Sequence, residues 1–286
     1  MLRLDMPPYN YSEVLEYCRN GITGDTDLLK KLNDNYVLLE NVEACYVKSA
    51  SIGELYTIHV TQNNQKDDPI VIGDLKKSDL IKLYSTYFAK TGKPARIIYD
   101  AMMAAAKEKC PFCGGIGRPR NLDHFLPKAH DPQFSVLPLN LVPSCRDCNM
   151  DGKGSDFATK EDDQVLHPYL DQQLFFSEQW VFARYLPGVG QEPGAIEYFV
   201  DPPAYWSNAQ KRRVEKHFND FDLGVRFSKE AGPRLLTYLE QMRSVMRYDV
   251  SIEEAKESIL QPVIDTQPVV NHWDRVMCST LMVHLK

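Results

Sequence analysis

Four cysteines in two pairs are the residues best suited to hold a metal ion. Cys110 and Cys113 form one Cys-x-x-Cys pair, and Cys145 and Cys148 form the second. Each pair can present two thiolates to one ion, and four thiolates make the closed tetrahedral shell of a structural Zn²⁺ site. Because such a shell leaves no position open for a substrate, the predicted zinc has a structural role. Any reaction must therefore use the residues between and beside the pairs.

An acid, a base and two amides lie within the same stretch. Asp123 and His124 adjoin each other between the pairs, Asn140 follows them, and Asn149 comes directly after the last cysteine. A neutral imidazole can accept a proton near neutral pH. A carboxylate and an amide oxygen are suitable ligands for a hard cation such as Mg²⁺, with water and phosphate oxygens completing the shell. These residue types predict a base beside a divalent cation, a combination suited to phosphodiester hydrolysis.

Asp123 and His124 must lie at the end of a strand if both side chains are to serve one site. Consecutive residues of a regular strand point to opposite faces, so the pair cannot share one surface of a flat strand. Pro127 and the turn-forming Asp131-Pro132 favour a strand that ends here. The sequence therefore predicts a twisted or terminating strand at this dipeptide.

The elements around the dipeptide can also be predicted. The residues from Leu139 to Val142 predict a short return strand, and those from Cys145 to Gly152 predict a helix. The first turn of that helix would bring Cys148 to the zinc and Asn149 toward the opposite side. A preceding helix, opened by Pro94, runs directly into the zinc motif and is expected to hold it rigidly.

Length, charge and cysteine use limit the class of protein. The chain has 286 residues, of which 43% are hydrophobic, so it can bury a sizeable core. A net charge of -6 argues against a surface that coats nucleic acid along its whole length, but it allows a local basic patch. No signal peptide and no apolar run near the roughly 20 residues of a membrane span are present, which predicts a cytoplasmic protein without a membrane partner. The remaining cysteines are expected to be small buried side chains in a reducing compartment: Cys18, Cys45 and Cys278.

The fold class predicted from these patterns is α+β and mostly α, in three regions. Residues 1–105 are predicted to be helical, 106–160 to form the metal-binding unit, and 161–286 to form a β-hairpin followed by helices. The hairpin strands are expected from Trp180 and from Ala195. Helices are predicted to start at Ser12, Asp25, Ser78, Pro94, Ser207, about Leu235, Ser251 and Trp273.

The motifs, taken in order, resemble a known group of enzymes. Cys-x-x-Cys, Leu-Asp-His-Phe-x-Pro, Asn-Leu-Val-Pro and Cys-x-x-Cys-Asn, with Lys-Gly following, are similar to the HNH (His-Asn-His) endonucleases of the ββα-metal, or His-Me finger, group. The resemblance covers about Lys109 to Ser155, which is under a fifth of the chain. It implies a central zinc-stabilised ββα-metal finger with metal-dependent endonuclease activity.

The resemblance also implies a role for each motif residue. His124 would be the general base, Asp123 and Asn149 the ligands of a catalytic Mg²⁺ or Mn²⁺, and Asn140 the residue whose amide braces the loop holding His124. Asn149 departs from the histidine of the family name, and its weaker carbonyl ligand favours Mg²⁺ or Mn²⁺ over a transition metal. The structural Zn²⁺ would be bound by Cys110, Cys113, Cys145 and Cys148.

Local charge and family resemblance together suggest the substrate. Between Lys107 and Lys128, five basic residues stand against two acidic ones, which predicts a modest phosphate-facing patch. The family resemblance favours DNA over RNA. The arrangement of helical ends around a central finger is similar to that of bacterial proteins linked to restriction or anti-phage defence, some of which act with a separate ATPase. Residues expected to contact nucleic acid are Arg118, Arg120, Lys128 and Lys153.

Less specific interpretations stay open beside the enzymatic one. The paired cysteines can form a purely structural zinc ribbon, in which case the protein would be a zinc-stabilised module that binds nucleic acid or a partner without cleavage. His167, in the sequence His-Pro-Tyr, is interpreted as a structural histidine. The basic run Lys211-Arg212-Arg213 is interpreted as the solvated face of a helix.

Overall fold

Short antiparallel strand pairs alternate with helices along the chain. A computed structural model describes residues 1–58, 68–153, 158–190 and 194–285, without the side chains of residues 151 and 153. About 53% of the described residues are helical. Within the described ranges, each of three sheets consists of two antiparallel strands. The predicted α+β, mostly α, fold class is therefore confirmed.

The N-terminal region begins with three helices. Asn10 caps the first of them and exchanges capping-box hydrogen bonds with Glu13, so the predicted cap at Ser12 is wrong by two residues. One long helix was expected after Asp25, but the chain breaks at Asn35, whose side chain instead donates to the Lys31 carbonyl. The helices are α1 (Tyr11–Asn20), α2 (Thr26–Asp34) and α3 (Tyr36–Ser51).

A small hairpin and two more helical stretches follow. Strand β1 (Ile70–Ile72) pairs with β2 (Leu75–Lys76) within the region 1–105 that was predicted to be helical, and residues 59–67 lie outside the described residues. Helix α4 (Lys77–Lys82) continues into a first π-helical segment (Leu83–Phe88), and α5 (Arg96–Ala105) leads to the cysteine motif.

The cysteine motif contains two paired strands and a helical segment. Strand β3 (Asn121–His124) pairs antiparallel with β4 (Leu141–Ser144), so Asp123 lies opposite Val142 and His124 opposite Leu141. A second π-helical segment (Asp147–Lys153) follows β4. The strand carrying the Asp-His pair ends at His124, as its sequence predicts.

The C-terminal region consists of a hairpin and a group of helices. Strands β5 (Val181–Leu186) and β6 (Ala195–Val200) pair antiparallel, which matches the predicted hairpin. Ser207 and Ser251 cap the following helices, as predicted, and each does so through a capping box. The helices are α6 (Leu174–Ser177), α7 (Asn208–Asp220), α8 (Leu223–Met246), α9 (Ile252–Ile259), α10 (Gln261–Thr266) and α11 (Trp273–His284).

One cluster of buried apolar side chains includes residues from all three regions of the chain. Cys18 and Cys278 lie in it, as expected, but Cys45 is exposed on α3, so the prediction that it is buried is wrong. Arg213 is buried, so the interpretation of its basic run as a solvated helix face is wrong for this residue. None of the helices in the described ranges has an apolar stretch long enough to cross a bilayer.

Candidate metal centre and the adjoining histidine site

The four paired cysteines lie close enough together to bind one ion. All four are buried, and their Sγ atoms lie within 4.8 Å of one another. A tetrahedral Zn²⁺ with Zn–S bonds of about 2.3 Å requires sulfur atoms roughly 3.8 Å apart, which is compatible with this cluster. The cysteine set predicted from sequence is therefore brought together, and it could hold a metal ion such as zinc.

The backbone turn after the first cysteine pair brings one N–H group to a sulfur atom of the cluster. Gly114 and Gly115 have φ angles of 67° and 94°, which side-chain-bearing residues rarely adopt. This turn lets the Gly115 N–H donate to the Cys110 carbonyl at 2.9 Å. The Gly117 N–H then donates to Cys113 Sγ at 3.2 Å. Such N–H donation stabilises negative charge on the sulfur.

Arg226 is a neighbour of the cluster that the sequence motif does not include. From α8, its guanidinium donates to Cys148 Sγ at 3.3 Å and lies 3.8 Å from Cys145 Sγ. The same group donates to the Phe221 carbonyl at 3.2 Å, which fixes its orientation. Nothing in the local sequence marks Arg226, because its cysteine partners are far away along the chain.

His124 has a defined ring orientation. Its Nε2 lies 2.9 Å from the Ser135 carbonyl oxygen. A carbonyl oxygen only accepts, so Nε2 must carry the proton, and in the neutral imidazole Nδ1 then carries the lone pair. The side chain is only 6% exposed, so few water molecules compete for this geometry. A neutral His124 can therefore accept a proton at Nδ1.

Tyr84 lies beside both members of the Asp-His pair. Its ring packs edge-on against His124, with centroids 4.4 Å apart, and its hydroxyl donates to the Leu122 carbonyl at 3.2 Å. Burial and the nearby Asp123 charge raise the pKa of Tyr84, so its hydroxyl stays protonated. Lys128 Nζ lies 4.8 Å from the centre of the same ring. Burial lowers the pKa of Lys128, and the charge of Asp123 opposes that shift.

The Asn140 side chain is buried and fully hydrogen-bonded. Its Oδ1 accepts from the Leu126 N–H at 2.7 Å and from the Tyr46 hydroxyl at 3.0 Å. Its Nδ2 donates to the carbonyls of Leu126, at 3.0 Å, and Phe134, at 3.1 Å. The amide thus joins both sides of the loop between β3 and β4, as expected for a residue that braces the loop next to His124.

The remaining predicted site residues occupy more open positions. Asn149 is half-buried in the second π-helical segment, where its N–H donates to the Cys145 carbonyl at 3.0 Å. The convergence of its side chain with Asp123 stays a prediction. Arg118 and Arg120 are exposed just before β3, and the side chain of Lys153 lies outside the described residues.

Comparison with known proteins identifies a relative of nearly the same length. Protein ea31 of Escherichia phage lambda is 39% identical over 291 residues, which cover 98% of this chain and 97% of ea31. The chain belongs to the ea31 family. No family model matches the sequence. No solved structure matches it either. At this coverage the alignment with ea31 includes the cysteine motif and both of its flanks.

Proposed function

We propose that this protein is an HNH endonuclease that hydrolyses phosphodiester bonds of DNA with a divalent cation. The observation that carries the proposal is the placement of Asp123 and His124 at the end of β3, which pairs with the strand β4 that leads directly into Cys145 of a cysteine cluster fit for zinc. Strands β3 and β4 followed by a helical segment support the ββα-metal finger that the sequence resembles. In this arrangement Zn²⁺ stabilises the unit and the residues between the cysteine pairs perform the chemistry.

His124 is the general base of the proposed reaction. Its Nε2 is held by the Ser135 carbonyl, so Nδ1 is the atom that takes a proton from the attacking water. Asp123 and Asn149 would hold a Mg²⁺ or Mn²⁺ ion, which stabilises negative charge on the phosphate and the departing oxygen when bound. Lys128, next to Asp123, adds a positive charge for the substrate phosphate.

The basic side chains around the pair support a nucleic-acid substrate. Arg118 and Arg120 are exposed directly before β3 and can contact the phosphate backbone. Lys153 is proposed to contact another phosphate, on the basis of its position shortly after Asn149. DNA is proposed over RNA because of the family resemblance.

A plasmid-cleavage assay tests the proposal directly. Wild-type protein should nick or linearise plasmid DNA with Mg²⁺ or Mn²⁺, and EDTA should stop the reaction. The variant His124→Ala should lose at least about 100-fold in rate, since general acid–base catalysis contributes on the order of 10²–10⁴. Zinc content, measured by mass spectrometry, should be unchanged because His124 is not a zinc ligand.

A matched variant excludes a general effect of removing histidine. His284 is exposed at the end of α11, away from the cysteine motif, and His284→Ala should cleave like wild type. Equal cleavage by His124→Ala and His284→Ala would refute the role of His124. Cleavage that persists in EDTA would refute the divalent cation.

A zinc-stabilised binding module is the alternative function, and the exposed Arg118 and Arg120 serve it equally well. Gel-shift binding of DNA by the zinc-loaded protein, without cleavage when Mg²⁺ or Mn²⁺ is added, would favour this alternative. The proposed assignment to restriction or anti-phage defence rests on the same resemblance, which also suggests a separate ATPase partner. Copurification of an ATPase from the native cell is the test of that partnership.

A further inference from the structure

A buried polar chain connects Asn140 to residues outside the cysteine motif. Tyr46, on α3, is fully buried, and its hydroxyl donates to Asn140 Oδ1 at 3.0 Å. The same hydroxyl lies 3.0 Å from His167 Nε2. His167 is also fully buried, in the segment that precedes the C-terminal hairpin. Tyr46, from the N-terminal flank, therefore contacts the amide that braces the loop, and His167, from the C-terminal flank, reaches that amide through Tyr46.

The donors and acceptors of this chain run in one direction. His167 Nδ1 accepts from the backbone N–H groups of Tyr169, at 3.2 Å, and Leu170, at 3.4 Å. Nδ1 therefore carries the lone pair, and Nε2 of the neutral ring carries the proton. His167 donates to the Tyr46 oxygen, and the Tyr46 hydroxyl in turn donates to Asn140. The hydrogen-bond donor of each side chain thus has an acceptor in the next one. These buried polar groups therefore replace their lost hydrogen bonds to water with hydrogen bonds to one another.

Further contacts hold the His167 end in place. The backbone N–H of His167 donates to Asp171 Oδ2 at 2.9 Å, and Asp171 forms a buried ion pair with Arg213 of α7. The His167 ring also packs against Phe125, with centroids 4.3 Å apart. Phe125 is the residue directly after His124. The buried polar chain therefore contacts the loop at two places, Asn140 and Phe125.

We infer that Tyr46 and His167 are positioning residues, which fix the orientation of the His124 ring through Asn140 and the loop between β3 and β4. The Asn140 amide holds Leu126 on one side of the loop and Phe134 on the other. Phe134 immediately precedes Ser135, whose carbonyl accepts from His124. A shift of Asn140 therefore moves the acceptor that orients the ring. The consequence for DNA cleavage rests on the proposed function, whereas the positioning does not.

The substitution Tyr46→Phe tests this inference because it removes one oxygen and leaves the ring. The edge-on contact with Phe134, at 5.0 Å between centroids, can persist in the variant. Without the hydroxyl, the Leu126 N–H should exchange with solvent about 5-fold faster, since one net hydrogen bond is lost. The NMR signals of the His124 imidazole, assigned by their absence in His124→Ala, should shift as well.

Tyr36→Phe is a matched control on the same helix. The Tyr36 hydroxyl bonds to Ser12 and not to the loop, so its removal is equivalent in chemistry but not in location. Leu126 exchange and the His124 signals should stay at their wild-type values in this variant. A further variant, His167→Gln, retains a side-chain donor toward Tyr46 and should change both readouts less than His167→Leu does.

The outcomes separate this inference from the proposed nuclease activity. If wild type cleaves DNA, Tyr46→Phe should lower kcat about 10-fold with little change in KM, as expected when a reacting group is misplaced. If wild type does not cleave but the exchange and His124 signals change as expected, the proposed function fails and the positioning stands. Unchanged His124 signals in Tyr46→Phe, or equal effects of Tyr36→Phe, would overturn the positioning.

Discussion

At the scale of single residues, the charge of the cysteine cluster explains why Arg226 is beside it. Four thiolates around one Zn²⁺ leave two negative charges in a buried place. The Arg226 guanidinium donates to Cys148 at 3.3 Å and so offsets part of that charge. Burial acts to lower the pKa of Arg226, but the thiolates outweigh burial and raise it. The cluster thus depends on a side chain from the C-terminal region for its electrostatic balance.

Asp131, in the loop after β3, shows the opposite balance, in which burial outweighs the polar contact of an acid. Burial raises its pKa to about 7, and only a weak contact from Gln133 Nε2, at 3.4 Å, opposes the shift. Its pKa in the unfolded chain is about 3.9. The folded protein therefore binds more protons than the unfolded chain, and the free energy of unfolding should fall as pH rises from about 4 to about 7.

Asp131→Asn is expected to remove this pH dependence because the amide stays neutral. The free energy of unfolding of the variant, relative to wild type, should rise by about 2 kcal/mol between about pH 5 and pH 8. Urea unfolding of both proteins at each pH, in saturating zinc, measures the difference. Asp5→Asn, at an exposed position, should show no such trend. A constant difference between Asp131→Asn and wild type would contradict the pKa shift.

At the scale of elements, local sequence signals predict many boundaries correctly. Ser207 and Ser251 are followed three residues later by Gln210 and Glu254, and both pairs form the capping boxes that this spacing indicates. The Asp-His pair was predicted to lie at a strand end because consecutive side chains on a flat strand point to opposite faces. His124 is indeed the last residue of β3. These features depend on neighbours within a few residues, so they can be predicted from the chain alone.

Features that depend on distant partners could not be predicted in this way. Arg213 is buried because Asp171 and two backbone carbonyls bind its guanidinium, and none of these lies nearby in sequence. Cys45 was predicted to be buried because its sequence neighbours are apolar, but it lies on α3 at a position that is exposed to solvent. The roles of Tyr46 and Tyr84 beside the candidate site were missed for the same reason. No spacing rule connects them to His124.

Close packing between the two cysteine-bearing segments gives a prediction at this scale. A Cβ built on Gly117 would lie 2.4 Å from Cys145 Sγ, so no side chain fits there without displacing this cysteine of the candidate zinc site. Gly117→Ala should therefore lower zinc content and affinity by at least about 10-fold, a loss typical of disturbed metal shells. Chelator competition and metal analysis of the purified variant measure the change.

A second glycine supplies the comparison. Gly232 is inside α8, and a Cβ added there meets nothing within 4 Å. Gly232→Ala should keep full zinc occupancy, because the added Cβ lies within 4 Å of no side chain other than those of its chain neighbours. Zinc occupancy of Gly117→Ala equal to that of Gly232→Ala would show that the cluster tolerates a shift of Cys145.

At the scale of the whole molecule, both flanks contribute contacts that support the central motif. The N-terminal α3 contributes Tyr46, and the C-terminal region contributes His167 and Arg226, to contacts with the motif. A segment of roughly 45 residues buries too little apolar surface to be stable without a metal or additional packing. The flanks supply that packing through the shared core.

The buried ion pair between Arg213 and Asp171 is the contact where this dependence can be measured. Both side chains are almost fully buried, and Arg213 also donates to the Gln164 carbonyl at 3.1 Å. Arg213→Ala would leave the Asp171 carboxylate without its cation, which should lower the free energy of unfolding by about 3 kcal/mol. The adjacent Arg212 pairs with Asp162 at the surface, and Arg212→Ala should cost no more than about 1 kcal/mol. Urea unfolding of the two variants compares the same deletion at neighbouring positions. Asp171 also holds His167, so the Leu126 N–H should exchange faster in Arg213→Ala than in Arg212→Ala. Equal stability and equal exchange in the two variants would show that α7 does not support the central motif.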